Sequence, residues 1–148
     1  MKVTQGKKTI TTEIAYISGF FDGEGCVRIK QANQRGNSYY VIAHITNTNR
    51  EILEKVKELF NGQIRTQERG VNKTIYNWSL SSSEAVEFLR TLSPFLVEKK
   101  KQSELAIWFH ENKEKMKPEE KIEHYKKMMD MKKERNIYEN PELLTNQQ

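Results

Sequence analysis

A helix-like segment followed by two strand-like segments occurs twice between residues 13 and 80. In each copy, apolar residues first recur at helical spacing and then alternate with polar ones, which is typical of a helix followed by half-buried strands. Further helix-like segments begin near Ser81 and Ser93, and a helical tail begins near Pro118. This order predicts an α+β domain of the form αββαββα, in which helices cover one face of a four-stranded antiparallel sheet and further helices follow at the C-terminus.

Local signals predict where the later helices begin. Thr48 and Glu51 have the spacing of a capping box, in which the hydroxyl and the carboxylate bond the first backbone N–H groups of a helix. Ser81 and Glu84 repeat that spacing. The Ser-Pro pair at 93–94 is typical of a cap followed by a proline in the first helical position.

The chain has 148 residues, which is enough for one domain with a hydrophobic core. We expect a single domain over 1–148, with its core at about 10–112 and a helical extension at about 113–148. The single cysteine, Cys26, excludes an internal disulfide framework and fits a reducing compartment. The N-terminal residues lack the apolar core of a signal peptide, and no apolar stretch approaches the length of a membrane span. We therefore expect an intracellular protein, not a secreted one, in the cytoplasm of a bacterium, in a phage-infected cell or in an organelle.

Two acids, Asp22 and Glu24, occur where the first helix is expected to end, at about residue 21. The C-terminus of a helix carries partial negative charge, so each acid there costs roughly 0.3–1 kcal/mol. One interpretation is a solvent-exposed turn, because Asp-Gly is common in turns. The other is a divalent cation site, because carboxylate and backbone carbonyl oxygens are the ligands that hard cations prefer. The local sequence leaves both interpretations open.

One face of the predicted sheet is apolar and the other is basic. The face expected to pack under the helices carries Val27, Ile29, Val41, Ile45, Ile64 and Trp78. The other face carries Arg28, Lys30, Tyr40, His44, Arg65, Gln67, Arg69 and Asn77. Side chains of these types bond base edges and phosphates, and the net charge of +5 favours a polyanionic partner. A polar face without a ligand is the alternative, because antiparallel sheets commonly have one face in water.

Residues 17–25, with the sequence ISGFFDGEG, resemble the LAGLIDADG motif of homing endonucleases. The resemblance consists of an apolar helix with an internal glycine, then two acids that each precede a glycine, then a strand. The order of elements agrees up to about Lys101, including Thr46-Asn47 before the second helix and the sequence SPFL at 93–96 before a lysine cluster. The motif occurs once, which resembles the subgroup that forms homodimers.

This resemblance implies a site-specific double-strand DNA endonuclease that cleaves a long, near-palindromic target as a homodimer with Mg²⁺, for which Mn²⁺ can substitute. It implies that Glu24 and the carbonyl of Gly23 bind the metal. It further implies that Asn47 orients water near the metal and that Lys99 contacts the water or the scissile phosphate, with Lys101 as the other candidate. Many relatives have Asp at the position of Glu24, and the Glu side chain is one methylene longer than that of Asp.

The first helix is expected to contact a second copy of the chain. Ala15 and Gly19 lie four residues apart on one helix face, and small residues at that spacing let another helix approach closely. By the resemblance, the dimer interface contains Ala15, Ser18, Gly19 and Asp22, with Asp22 more structural than catalytic. Packing of Ala15 and Gly19 against the chain's own sheet is the alternative.

By the same resemblance, each sheet lies in the major groove of double-stranded DNA. The predicted contacts are Arg28, Lys30, Gln34, Tyr40, His44, Arg65, Gln67, Arg69 and Asn77. The expected partners are DNA and a second copy, without a membrane and without a small-molecule cofactor. Two alternatives remain open. One is a non-cleaving DNA-binding or RNA-binding protein, such as an intron-splicing maturase, and the other is a helical module whose basic face binds acidic proteins.

Overall fold

The structure of the chain is a computed structural model that describes residues 6–33, 36, 38–71 and 73–139. Its helices are α1 (Gly6–Glu24), α2 (Arg50–Phe60), α3 (Ser82–Leu92), α4 (Lys100–Asn112) and α5 (Pro118–Glu139). Its strands are β1 (Gly25–Gln31), β2 (Tyr39–Asn47), β3 (Gln63–Glu68) and β4 (Thr74–Ser81). The predicted α+β order is confirmed.

The four strands form one antiparallel sheet in the order β1-β2-β4-β3. Alternation along the strands places Val27, Val41, Ile45 and Trp78 in the core, where each is 0% exposed. Ile64 is only half-buried, because it lies on β3 at the edge of the sheet. The sheet therefore has one covered face and one polar face, as the alternation predicts.

Phe88 of α3 lies at the centre of the core. Its ring meets Phe21 of α1, Phe60 of α2 and Trp78 of β4, with centroid separations of 5.1, 4.9 and 5.0 Å. Aromatic pairs at such separations add about 0.5–1.5 kcal/mol each to the gain from burial. These contacts hold three helices on the same face of the sheet.

Helix α1 is longer than the predicted 13–21, since it begins at Gly6 and ends at Glu24. Strand β1 begins at the next residue, Gly25. A Cβ atom on Gly25 would overlap the ring of Phe21, which is completely buried. Only glycine therefore allows this direct junction, and the junction fixes Glu24 at the end of the sheet.

Two of the three predicted helix starts need correction, and the start at Ser81 is confirmed in position but lacks the predicted side-chain bond. Helix α2 is capped by Asn49, not Thr48, because the Asn49 side chain accepts a hydrogen bond from the Glu51 N–H at 3.0 Å. Ser81 is the N-cap of α3 but makes no side-chain capping bond. The Ser-Pro pair belongs to a short 3-10 turn at Ser93–Phe95, and α4 begins only at Lys100.

Candidate functional site

Asp22, in the last turn of α1, binds the backbone at the start of α4. Its Oδ2 atom accepts hydrogen bonds from the N–H groups of Val97 and Glu98, at 3.0 and 3.1 Å, and Oδ1 accepts one from Lys99 at 2.8 Å. Lys99 is the N-cap of α4, and the N-terminus of a helix attracts negative charge. Although Asp22 lies at the unfavourable end of α1, its carboxylate lies at the favourable end of α4.

The Lys99 side chain in turn bonds the backbone at the end of α1. Its side chain is buried, with 1% exposed, and its Nζ donates a hydrogen bond to the Asp22 carbonyl oxygen at 2.6 Å. This places an ammonium at the C-terminus of α1, where positive charge is favoured. Asp22 and Lys99 thus join the end of α1 to the start of α4, and we call this pair of contacts the Asp22–Lys99 latch.

The latch also shifts the pKa of Asp22. Burial alone raises this pKa, but the N–H groups of Lys99, Glu98 and Val97 and the charge of Lys99 lower it by more. The net pKa is below the ordinary value of 3.8, so the carboxylate is ionised at neutral pH.

Glu24 differs from Asp22, because its side chain is exposed and, within the described residues, makes no hydrogen bond or ion pair. The Gly23 carbonyl is one of the last four of α1, which have no partner within a helix. These two oxygens suit a hard divalent cation, which takes six or more oxygen ligands. No group of three or more acidic, His or Cys side chains suited to a metal occurs in the part of the chain described. The Glu24 carboxylate and the Gly23 carbonyl are therefore fewer oxygens than such a cation takes.

Asn47 lies at the same end of the sheet as Glu24, because Gly25 of β1 pairs with Ile45 of β2. Its Oδ1 accepts a hydrogen bond from the Asn49 N–H at 2.8 Å. The Asn47 side chain therefore shapes the turn into α2 while its amide nitrogen is at the same end of the sheet as the acids. Lys101, the other candidate lysine, is exposed on α4.

The polar face of the sheet has a shallow depression of about 390 Å³. It is lined by Arg28, Lys30, Ile42, His44, Arg65, Thr66, Gln67, Asn77 and Ser79. The lining contains three Arg or Lys side chains and no carboxylate. In the described ranges, none of these three cations is in a salt bridge. Their positive charges can therefore bind an external anion.

Most of the predicted contact residues lie together on this face, and a few do not. Tyr40 is half-buried on β2 and pairs with Lys30. Arg69 follows the end of β3, in the turn closed by its N–H bond to the Lys73 carbonyl. Gln34 is outside the described residues. The predicted set omitted Ser79, although its alternation with Trp78 signals the polar face.

His44 is neutral at physiological pH in this setting. Its pKa is lowered to about 4, first by burial and then by the positive charges of Lys132, Arg28 and Lys30. A neutral imidazole presents one hydrogen-bond donor and one acceptor. The effect of Lys132 had no local signal in the sequence, because this residue comes from α5 and is 88 positions further along the chain.

The outer face of α1 is open around Gly19. An added Cβ at Gly19 would meet no atom within 4 Å, so the chain's own sheet does not cover it. Tyr16 is 63% exposed, and Ala15 is half-buried. Ser18 does not lie on this face, because its side chain is fully buried and its hydroxyl donates to the Ile14 carbonyl at 2.7 Å. The place of Ser18 in the dimer interface therefore stays a prediction, and within one chain its side chain packs inward.

None of the helices in the described part of the chain is long and apolar enough to cross a membrane.

Comparisons with known proteins identify the same fold. The model of the LAGLIDADG-like domain family matches residues 11–93. The structure of the homing endonuclease I-CvuI in complex with its target, in the presence of calcium, is 16% identical and has a TM-score of 0.73. That alignment covers 84% of this chain and 85% of I-CvuI. An archaeal intron-encoded homing endonuclease, I-Vdi141I, complexed with DNA, is 19% identical with a TM-score of 0.68, over 82% of this chain and 85% of the other.

A second I-CvuI complex, in the presence of magnesium and with DNA not cleaved, is 18% identical with a TM-score of 0.60. Its alignment covers 69% of this chain and 68% of that one. No curated protein sequence matches this chain significantly.

Proposed function

Because the chain belongs to the family of LAGLIDADG-like domains, we propose that it is a homing endonuclease, which cleaves both strands of duplex DNA as a metal-dependent homodimer. One observation carries this proposal. The direct junction of α1 and β1 places an exposed acid, Glu24, at the end of a sheet face whose cations have no acidic partner in the described residues. The basic surface can bind a polyanion such as DNA, whose phosphates would neutralise these cations. The neighbouring carboxylate can then bind the metal ion needed to cleave it.

The metal site needs two chains in this proposal. Each chain contributes the Glu24 carboxylate and the Gly23 carbonyl, and phosphate oxygens of the DNA add further ligands. A bound Mg²⁺ supplies Lewis acidity for the attacking water and for the leaving oxygen, and Mn²⁺ can replace it. Similar folds have been solved with calcium and with magnesium, which supports a divalent ion.

The Asp22–Lys99 latch supports Lys99 over Lys101 as the proposed active-site lysine. The Lys99 ammonium is bonded at Asp22, so its charge lies next to the residues that would bind the metal. Lys101 is exposed and lies two positions further along. We assign the role beside the scissile phosphate to Lys99, and the orientation of water to Asn47.

The polar face would lie in the major groove, which admits a β-ribbon and presents a distinct pattern for each base pair. Arg28, Lys30 and Arg65 supply positive charge, while Gln67 and Asn77 supply side-chain amides. Two copies related by a two-fold axis would read two half-sites of a near-palindromic target.

Selection of cleaved sequences from a randomised duplex pool tests the proposed function. We expect double-strand breaks at one long, near-palindromic sequence in Mg²⁺ or Mn²⁺, and none after chelation by EDTA. The matched control is the same reaction in Ca²⁺, which separates binding from cleavage. Binding without nicking in every divalent ion would instead indicate a non-cleaving DNA-binding protein, and preference for RNA would indicate a maturase-like role.

A substitution at Gly19 tests the homodimer. We expect Gly19→Leu to raise the dimer dissociation constant by at least roughly 30-fold, because two added side chains across the axis each cost about 1–3 kcal/mol. The fold of one chain should persist, since nothing lies within 4 Å of an added Cβ there. Sedimentation equilibrium measures the change.

Lys127→Leu is the control for the Gly19 variant, because it adds the same apolar side chain at an exposed position on α5. It should leave the dimer intact. If Gly19→Leu and Lys127→Leu had the same dimer dissociation constant, the placement of α1 in the interface would be refuted.

A further inference from the structure

Helix α5 is fixed against the core by one of its faces. Met128 is 2% exposed, and the Tyr125 ring lies 5.4 Å from the Tyr39 ring of β2. Lys132 is one helical turn beyond Met128, and residues four apart share a helix face. Its position therefore follows from the packing of α5 and is not that of an unrestrained surface side chain.

Lys132 reaches the polar face of the sheet. Its ammonium contacts the thiol of Cys26, the second residue of β1. Cys26 lies between Gly25 and Val27, which are buried, so it points to the opposite, polar face. It also pairs across the sheet with His44. Helix α5 thus follows the edge strand β1, with Met128 in the core and the Lys132 ammonium on the polar side.

The charge of Lys132 adds to that of the existing cations. Lys132, Arg28 and Lys30 all act on His44 and lower its pKa. In the residues that the structure describes, no salt bridge involves Lys132. Like charges repel, and a polyanion bound to this face would remove that repulsion.

We propose that Lys132 binds a DNA phosphate beside the contacts made by β1 and β2, so that the C-terminal helix is part of the DNA interface. This inference rests on the proposed function and extends it to a helix beyond residues 11–93, which the family model matches. Phosphate contacts set the register and orientation of a protein on the duplex without reading sequence. Lys132 is therefore a positioning residue near the end of β1 that adjoins Glu24.

The salt dependence of DNA binding distinguishes this role from a purely structural one. Lys132→Met keeps an unbranched apolar side chain at this position and removes the charge. We expect the slope of log K against log salt to become shallower by about 0.9 for each lost phosphate contact, and hence by about 1.8 for a dimer. The loss of DNA affinity should be the same on matched and mismatched target duplexes, because phosphates carry no sequence information.

The measurement uses the full-length chain, its selected target duplex in Ca²⁺, and fluorescence anisotropy over a salt series. Lys132→Arg should keep the wild-type slope. Lys127→Met, at an exposed position of the same helix, should also keep it. In the free protein, Lys132→Met should raise the His44 pKa above about 4, as read by NMR, while burial, Arg28 and Lys30 keep it below the ordinary 6.5.

Wild-type slopes in Lys132→Met, with DNA binding intact, would overturn this inference and leave the proposed function standing. An unchanged His44 pKa in that variant would overturn the placement of Lys132 on the polar face. Failure of the wild-type chain to bind any duplex would instead refute the proposed function, and this inference with it.

Discussion

Replacing Glu24 with Gln should slow DNA cleavage at least about 1000-fold and leave DNA affinity nearly unchanged. A bound metal ion contributes several kcal/mol to the stability of the transition state, and each 1.36 kcal/mol is about tenfold in rate. Glutamine has nearly the same shape as glutamate but lacks the charge that holds a divalent ion. The Glu24 side chain is exposed and, in the described ranges, bonds to no other group, so the fold should not respond.

Single-turnover cleavage with saturating enzyme measures this effect, because it separates the chemical step from DNA binding and product release. Glu104→Gln is the matched control, since it removes an equivalent charge from an exposed position on α4. It should cleave at the wild-type rate. A Glu24→Gln enzyme whose rate stays within tenfold of the wild type would show that the metal is bound elsewhere.

Replacing Asp22 with Ala should lower the free energy of unfolding by about 2–4 kcal/mol at neutral pH. The substitution leaves three N–H groups at the start of α4 without their acceptor and takes the neighbouring charge away from the buried Lys99. A lost N-cap alone costs about 0.5–2 kcal/mol, and hydrogen bonds to a charged group add to this.

The effect of Asp22 should depend on pH with a defined sign. The folded-state pKa is lowered, so the carboxylate stabilises the fold above its unfolded value of 3.8. That contribution is lost as the pH falls through the lower, folded-state pKa. The difference between wild type and Asp22→Ala should therefore be constant from about pH 7 to pH 5 and shrink below about pH 4.

Urea unfolding at one fixed protein concentration gives these free energies, because the stability of the proposed dimer would depend on concentration. Asp130→Ala, at an exposed site on α5, serves as the control. If both variants lost the same small amount of stability, the latch would not be a stabilising contact.

The fold was predictable because its strand signals are local. Alternation in Val27, Arg28 and Ile29 depends only on neighbouring residues, and it gave both the covered and the polar face. The predicted fold class is confirmed. The roles of Glu24, Asn47 and Lys99 remain predictions that the experiments above address.

The features that sequence reasoning missed depend on distant residues. The start of α4 is set by Asp22, about 75 positions earlier, so the Ser-Pro signal could not locate it. For the same reason, the cost of an acid at the end of α1 could not be judged from α1 alone. Lys132 reaches Cys26 across 106 positions, which no local pattern could reveal. The prediction of the α2 N-cap was wrong for a different reason. Thr48 and Asn49 are adjacent and are both favourable N-cap residues, so the sequence could not distinguish them.

The direct junction between Glu24 and Gly25 has a mechanical consequence for a two-fold assembly. No flexible residue separates the helix that would meet the second copy from the strand that would meet the duplex. If one α1 rotated relative to the α1 of the second copy, the angle between the two sheets would change by a similar amount. The angle at which the two α1 helices cross would then set both the separation of the half-sites and the offset between the two cuts.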